Sequence, residues 1–257
     1  MAPATKKSAA KAAAKRPTTT KTVAEKTPTK KSSARGASRR STKRTEGPKP
    51  TLVLLVRHGR TPTTGKVLPG RAAGLHLGAE GIAQATKAAE RIAALGDNKI
   101  AAVYASPMER TRETAAPIAK AVGKRVRVKK GLIEADFGQW TGRKLTELNK
   151  LPEWSQVQRY PSGFRFPGGE SFSEMQTRMT GAIQELVAAH PGETIVATSH
   201  ADTIKAAVAD AMGTHLDLFQ RIVVGPCSIT AILYTSGGPV VLAVNSMGDD
   251  LSALVPS

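Results

Sequence analysis

The sequence predicts an α/β fold: a three-layer α/β/α domain with a mainly parallel central sheet, preceded by a disordered basic tail. Three observations predict it. The run Leu52-Val53-Leu54-Leu55-Val56 is uninterrupted apolar chain bounded by polar residues, the mark of a strand buried on both faces. Strand-like and helix-like stretches then alternate, the rhythm of a parallel sheet covered on both sides. Two of the apolar runs end in histidine, at Arg57-His58-Gly59 and Ser199-His200-Ala201, where an open α/β sheet presents its ligands.

The tail is set apart by its charge. Residues 1–50 hold 15 Lys and Arg against Glu25 and Glu46, a net of +13 out of +18 for the whole chain. Val23 is almost its only large apolar side chain past Met1, so the segment cannot bury enough surface to offset the entropy of ordering, and it reads as disordered. Its paired cations, such as Lys6-Lys7 and Arg39-Arg40, can neutralise phosphates without any fold. A nucleic-acid-associated protein acting nonspecifically through residues 1–50 is therefore the competing functional class, and the composition resembles the tails of bacterial histone-like proteins. Aromatic side chains for stacking on bases are absent from the tail, which removes single-strand recognition.

The remaining residues, 51–257, are read as one domain. No apolar run has signal-peptide form or the roughly 18 to 20 residues needed to span a bilayer, so a cytoplasmic protein is expected, with nucleoid association through the tail as a corollary of the competing reading. The single cysteine, Cys227, excludes an internal disulfide and a cysteine-built zinc cage; after Gly225-Pro226 it reads as a small buried hydrophobe.

The elements follow in order. The first strand, from Thr51, gives way to a loop broken by Pro62, Gly65, Pro69 and Gly70. Ile82, Ala85, Ala89, Ile92 and Leu95 at helical spacing predict a helix over 80–95, stopped by Gly96. A short strand over 100–105 ends at Ser106-Pro107, and a helix over 109–122 contains Pro117, which is expected to kink it. Val126 and Val128 alternate with basic residues in a shorter strand. From 142 to 169 prolines and glycines interrupt short helical pieces around Trp154, Tyr160, Phe164 and Phe166, and the span 139–170 is read as a lid-like insertion over the site. A long amphipathic helix over 170–189, a strand over 194–198, a helix to Met212 and a terminal hairpin from 228–234 and 240–245 complete the chain.

Five segments carry chemistry: Arg57-His58-Gly59; Ser106-Pro107-x-x-Arg110-x-x-x-Thr114; Glu134 four residues before Gly138-Gln139-Trp140-Thr141-Gly142; Phe166-Pro167-Gly168-Gly169-Glu170-Ser171; and Ser199-His200-Ala201. In this order they resemble the signatures of the histidine phosphatase superfamily, which includes phosphoglycerate mutases and many phosphatases. The chain looks most similar to an actinobacterial branch labelled probable phosphomutase. The resemblance covers residues 52 to about 245 and implies a phosphohydrolase or phosphomutase that works without metal or cofactor on a small phosphorylated metabolite. It implies catalytic roles for His58, Glu134, His200, Arg57 and Arg110, and contacts to phosphate or substrate from Arg57, Arg110, His200, Thr61, Thr64, Gly70 and Arg71.

The residue types suit that chemistry. Two guanidiniums can clamp the oxygens of a phosphomonoester while its charge shifts in transfer. His58 can attack phosphorus only as a neutral ring with one nitrogen free, so its other nitrogen needs an acceptor. The alkoxide leaving group needs the proton that Glu134 would supply before acting as base. His76, His190, His215 and Arg112 read as loop, helix-end or solvated residues, Glu109 and Glu113 as a charged helix face, and Asp136 and Asp202 as neighbours of the site. Two departures from the family pattern stand out: Thr64 where the mutases often carry Asn, and Ala201 where Gly is usual. Gly59 and Gly65-Lys66 imitate a P-loop, but the spacing is one residue too long and Val67 replaces the magnesium-binding hydroxyl.

Overall fold

The computed structural model describes residues 49–96 and 99–248. The expected basic tail lies outside the described residues, as do the nucleic-acid contacts assigned to it. Six strands form one sheet in the order β3-β2-β4-β1-β5-β6: β1 Thr51–Arg57, β2 Ile100–Ala105, β3 Val126–Val128, β4 Thr194–Ser199, β5 Ile229–Thr235 and β6 Gly238–Ser246. The first four strands pair in parallel, and the β5–β6 hairpin adds antiparallel to the free side of β1. The sheet is mainly parallel, as the sequence predicts.

Side chains of β1 alternate between two cores. Val53 and Leu55 pack on one face with Met179, Ile183 and Leu186 of α5 (Phe172–Ala189) and Ile204 and Val208 of α6 (Ala201–Ala211). Leu54 and Val56 pack on the other with Ala89 and Ile92 of α1 (Ala79–Ala93) and Ala115 and Ile118 of α2 (Glu109–Ala121). That is why the strand has no polar side, and it yields the three layers. Each of these buried Val, Leu, Ile and Met side chains contributes roughly 1.5–3 kcal/mol.

Element boundaries fall within two residues of expectation. The helix expected from 170 starts at Phe172 because Ser171 and Glu174 form a capping box: the Ser171 hydroxyl accepts from the Glu174 amide, and the Glu174 carboxylate accepts from the Ser171 amide. α2 continues past Pro117. The segment 139–170 holds two short helices, α3 (Leu145–Leu148) and α4 (Trp154–Arg159), around a third core in which Trp140, Phe164 and Phe166 meet Phe172 and Phe219. Among the described residues no helix is long and apolar enough to cross a membrane.

Candidate active site

Strand register builds the site. Arg57 of β1 lies level with Ser199 of β4, and Ala105 of β2 with Thr198, so three parallel strands end side by side. The His58 amide donates to the Ser199 carbonyl at 3.0 Å and the Ser106 amide to the Thr198 carbonyl at 3.0 Å, extending that alignment beyond the strands. His58 and His200 thereby face one another with ring centroids 5.3 Å apart. Arg110 arrives from the first turn of α2, and Glu134 from an irregular turn after β3. All five expected catalytic residues are drawn to this edge; Arg57 is partly buried and the other four are buried.

The turn after β1 is possible because two backbones touch. A Cβ on Gly59 would lie 2.5 Å from the Gly81 carbonyl oxygen, and one on Gly81 only 2.0 Å from that of Arg60. Both positions exclude any side chain, which brings the start of α1 against the His58 turn. Thr114 secures the same turn: its hydroxyl accepts from the Gly59 amide at 3.0 Å and donates to the Arg110 carbonyl at 2.7 Å.

His58 Nδ1 lies 2.8 Å from the Gly59 carbonyl, an acceptor that fixes the proton on Nδ1 and leaves Nε2 with its lone pair. Burial, reinforced by Arg110 and Arg57, lowers its pKa to about 3, so the ring is neutral at neutral pH. His200 is held well below its ordinary value, first by burial and then by Arg110 and His58. Its Nδ1 lies 3.3 Å from Arg110 Nη2 and 3.6 Å from Glu134 Oε2, and its Nε2 lies 2.8 Å from the Ser106 hydroxyl. Arg110 can only donate, so Nδ1 accepts from it and the ring proton sits on Nε2, donated to the Ser106 hydroxyl.

Glu134 is the opposite case. Burial, with Asp202 adding and Arg110 opposing, raises its pKa to about 7. Oε1 accepts from the Ala135 amide at 3.0 Å, which leaves Oε2, on the His200 side, to carry the proton. Arg110 Nη2 donates to the Gly70 carbonyl at 2.8 Å, but Nε and Nη1, both fully buried, have no hydrogen-bond partner among the described residues. Arg57 donates through Nη1 to the Val224 carbonyl at 2.7 Å, and its buried Nε is likewise unpartnered. Buried cationic donors left unpaired are costly unless an anion joins them. The arrangement is a buried cradle for an oxyanion beside a neutral nucleophile and a protonated carboxyl.

The other candidates divide. Thr61 and Thr64 form one hydroxyl cluster at the edge of the turn, with the Thr61 amide donating to Thr64 Oγ1 at 2.9 Å. Gly70 faces Arg110 through its carbonyl, and the Arg71 guanidinium is directed to three protein acceptors around Glu134 rather than into the cradle. Ala201 opens α6 outside the left-handed region, so its methyl brings no backbone strain. Cys227 is buried as expected, though at φ 54°. His190 is a structural residue held by Tyr104 and Glu193, His215 caps a 3-10 turn, and His76 contacts Glu113 on the surface. The sequence reading missed what Ser106, Gly81 and Arg178 do. Ser106 stood inside a matched motif, whereas Gly81 and Arg178 offered only a small residue and a charge on amphipathic helices.

Comparison with known proteins gives the chain a family. The family model described as the histidine phosphatase superfamily, branch 1, matches residues 53–247. A bifunctional protein of Mycobacterium tuberculosis is 31% identical over 207 residues, 77% of this chain and 55% of that protein, so the chain spans about half the length of that curated relative. A probable phosphoglycerate mutase of Cronobacter sakazakii is 32% identical over 185 residues, covering 71% of this chain and 84% of that one. Among solved structures, a phosphoserine phosphatase of Entamoeba histolytica in complex with 3-phosphoglyceric acid superimposes with a TM-score of 0.68 at 27% identity, over 76% of this chain and 97% of the other.

Proposed function

The chain belongs to the histidine phosphatase superfamily, and from that premise we propose that it transfers phosphoryl groups from small phosphomonoesters through a phosphohistidine on His58, without a metal ion. The unpartnered Nε and Nη1 of the buried Arg110 carry this reading, because a phosphate dianion supplies the acceptors those donors lack.

Arg110 and Arg57 hold the phosphoryl oxygens and place phosphorus in front of His58 Nε2. That nitrogen attacks, the bond from phosphorus to the ester oxygen breaks, and the Glu134 proton passes to the departing alkoxide. His200, held by Ser106 on Nε2, stands beside Arg110 and Glu134 as a neutral polar wall to the transferring group. In the second half Glu134, now a carboxylate, takes a proton from water as its oxygen attacks phosphorus and the bond to Nε2 breaks. An alcohol in place of that water makes the same site a mutase. Proton transfer by a carboxyl of matched pKa is worth roughly 10²- to 10⁴-fold. Selectivity among esters comes from the wall formed by residues 139–170, which reads as a lid.

Phosphate release from a panel of phosphomonoesters, measured with and without a chelator, tests the proposal. Turnover of at least one small ester, unchanged by the chelator, is the expected result. Release that stops with chelator and returns with added magnesium would overturn metal independence, and no release from any ester would overturn the reaction class.

A further inference from the structure

Glu134 sits where nothing regular supports it. Residues 133–137 belong to no helix or strand, yet an acid that must deliver a proton to one oxygen needs placement to within about 0.5 Å. The support comes from two arginines. Arg71 donates through Nε to the Glu134 carbonyl at 2.9 Å, through Nη1 to Asp136 Oδ2 at 3.2 Å and through Nη2 to Glu170 Oε2 at 3.0 Å. Arg178 of α5 donates through Nη1 to the carbonyls of Gly131 and Ile133, each at 2.8 Å. Its Nη2 and Nε meet the same Glu170 carboxylate at 2.8 and 2.9 Å. Glu170 thus joins the two guanidiniums, and between them they hold the carbonyls of Ile133 and Glu134 in the turn and of Gly131 just before it.

We propose that Arg71 is a positioning residue for the Glu134 carboxyl, acting with Glu170 and Arg178 and not by binding phosphate. The inference rests on Glu134 being the acid of the reaction proposed above. Charge supports it: Arg71 and Arg178 are balanced by Asp136 and Glu170, so the cluster has no surplus with which to hold a dianion. All three donor nitrogens of Arg71 already have protein acceptors, in contrast to Arg110. Connectivity supports it too. The carbonyl of the preceding residue, Gly70, accepts from Arg110 Nη2, so one short stretch of backbone ties the phosphate-facing guanidinium to the turn that carries the acid. Displacements of about 1 Å at a reacting group cost as much as 10²-fold.

The test uses the full chain with Arg71→Ala and Arg71→Lys, two probe esters, glycerol 2-phosphate and nitrophenyl phosphate, and a melting curve for each variant. A misplaced acid hurts only the poor leaving group. Arg71→Ala should slow single-turnover phosphorylation by glycerol 2-phosphate about 10- to 100-fold, while nitrophenyl phosphate loses less than about threefold and keeps its KM. Arg71→Lys should recover part of the loss, since one ammonium reaches only some of the three acceptors. The ratio of the two rates is the readout, because a general loosening of the fold lowers both rates together. Equal losses with a raised KM for both esters would show Arg71 holding phosphate directly; equal losses that track the melting temperature would show a structural residue only. Glu170→Gln, which breaks the same network from its centre, should reproduce the ester-selective loss. A wild-type protein that forms no phosphoenzyme with either ester would overturn the reaction class itself, and that outcome is visible before any variant is made.

Discussion

Burial sets the protonation states on which the proposed chemistry depends. It pushes His58 down to about 3 and Glu134 up to about 7, so between those values the nucleophile is neutral and the acid carries its proton. The free enzyme's rate of phosphorylation by an alkyl phosphate should therefore be flat across that window and fall about tenfold per pH unit above 7, as the proton leaves Glu134. Stability carries the same signs. His58 binds its proton less readily folded than unfolded, so its contribution is complete above about 6.5 and is lost as the pH falls toward 3; Glu134 does the reverse, contributing most below about 4.5 and losing that contribution as the pH rises through 7. Glu134→Gln keeps the shape without the proton. It should cost about 10²- to 10⁴-fold in phosphorylation by alkyl esters and much less with nitrophenyl phosphate, which should then show a burst and a stalled second step. Equal losses on both esters would leave Glu134 an electrostatic or structural role. At this scale the sequence was most informative where function is local: His58, Arg57, Arg110 and His200 stand beside strand ends or in short spaced motifs. The resemblance placed Arg71 at the phosphate; the contacts behind the positioning role proposed here reach Glu134 and Glu170, 63 and 99 residues away, and no short-range pattern announces them.

Elements bring the residues into register. The site exists because β1, β2 and β4 end level and because α1 can approach the His58 turn through two glycines. Gly81→Ala would set a methyl against the Arg60 carbonyl, so it should both lower the melting temperature and slow phosphorylation of His58. Gly181→Ala is its contrast. That glycine lies inside α5 with nothing beyond its own helix backbone within 4 Å of where the methyl would go, so the substitution should stabilise the protein by about 0.5–1 kcal/mol with turnover unchanged, as measured by urea unfolding. A destabilised Gly181 variant would contradict the packing described for α5. Strand and helix positions were readable from apolar periodicity alone, and the hairpin from its glycines. The insertion of β1 between β4 and β5 was not, because strand order follows from which long-range pairings bury both faces, and periodicity is blind to partners.

Over the whole molecule the charge is divided as unevenly as the chemistry. Residues 1–50 hold +13 of the +18, while every group invoked at the site comes from residues 57–224. Deleting residues 1–48 should leave kcat/KM within about twofold and abolish retention on DNA at low salt, the behaviour of a segment that neutralises phosphates without a fold. A truncated chain that loses turnover would place the tail in the catalytic unit. The family pattern was legible across the domain because its motifs recur in order along the chain; the identity of the ester was not, because on the proposed reading it is set by the 139–170 segment, whose short helices and aromatic core follow no single period. The central claim, covalent transfer through His58, is tested most directly by quenching the protein during turnover of a radiolabelled phosphomonoester and mapping the label. The account predicts one acid-labile, alkali-stable phosphate on His58, absent from a folded His58→Ala variant; stoichiometric label in that variant, or an alkali-labile adduct on another residue, would contradict it.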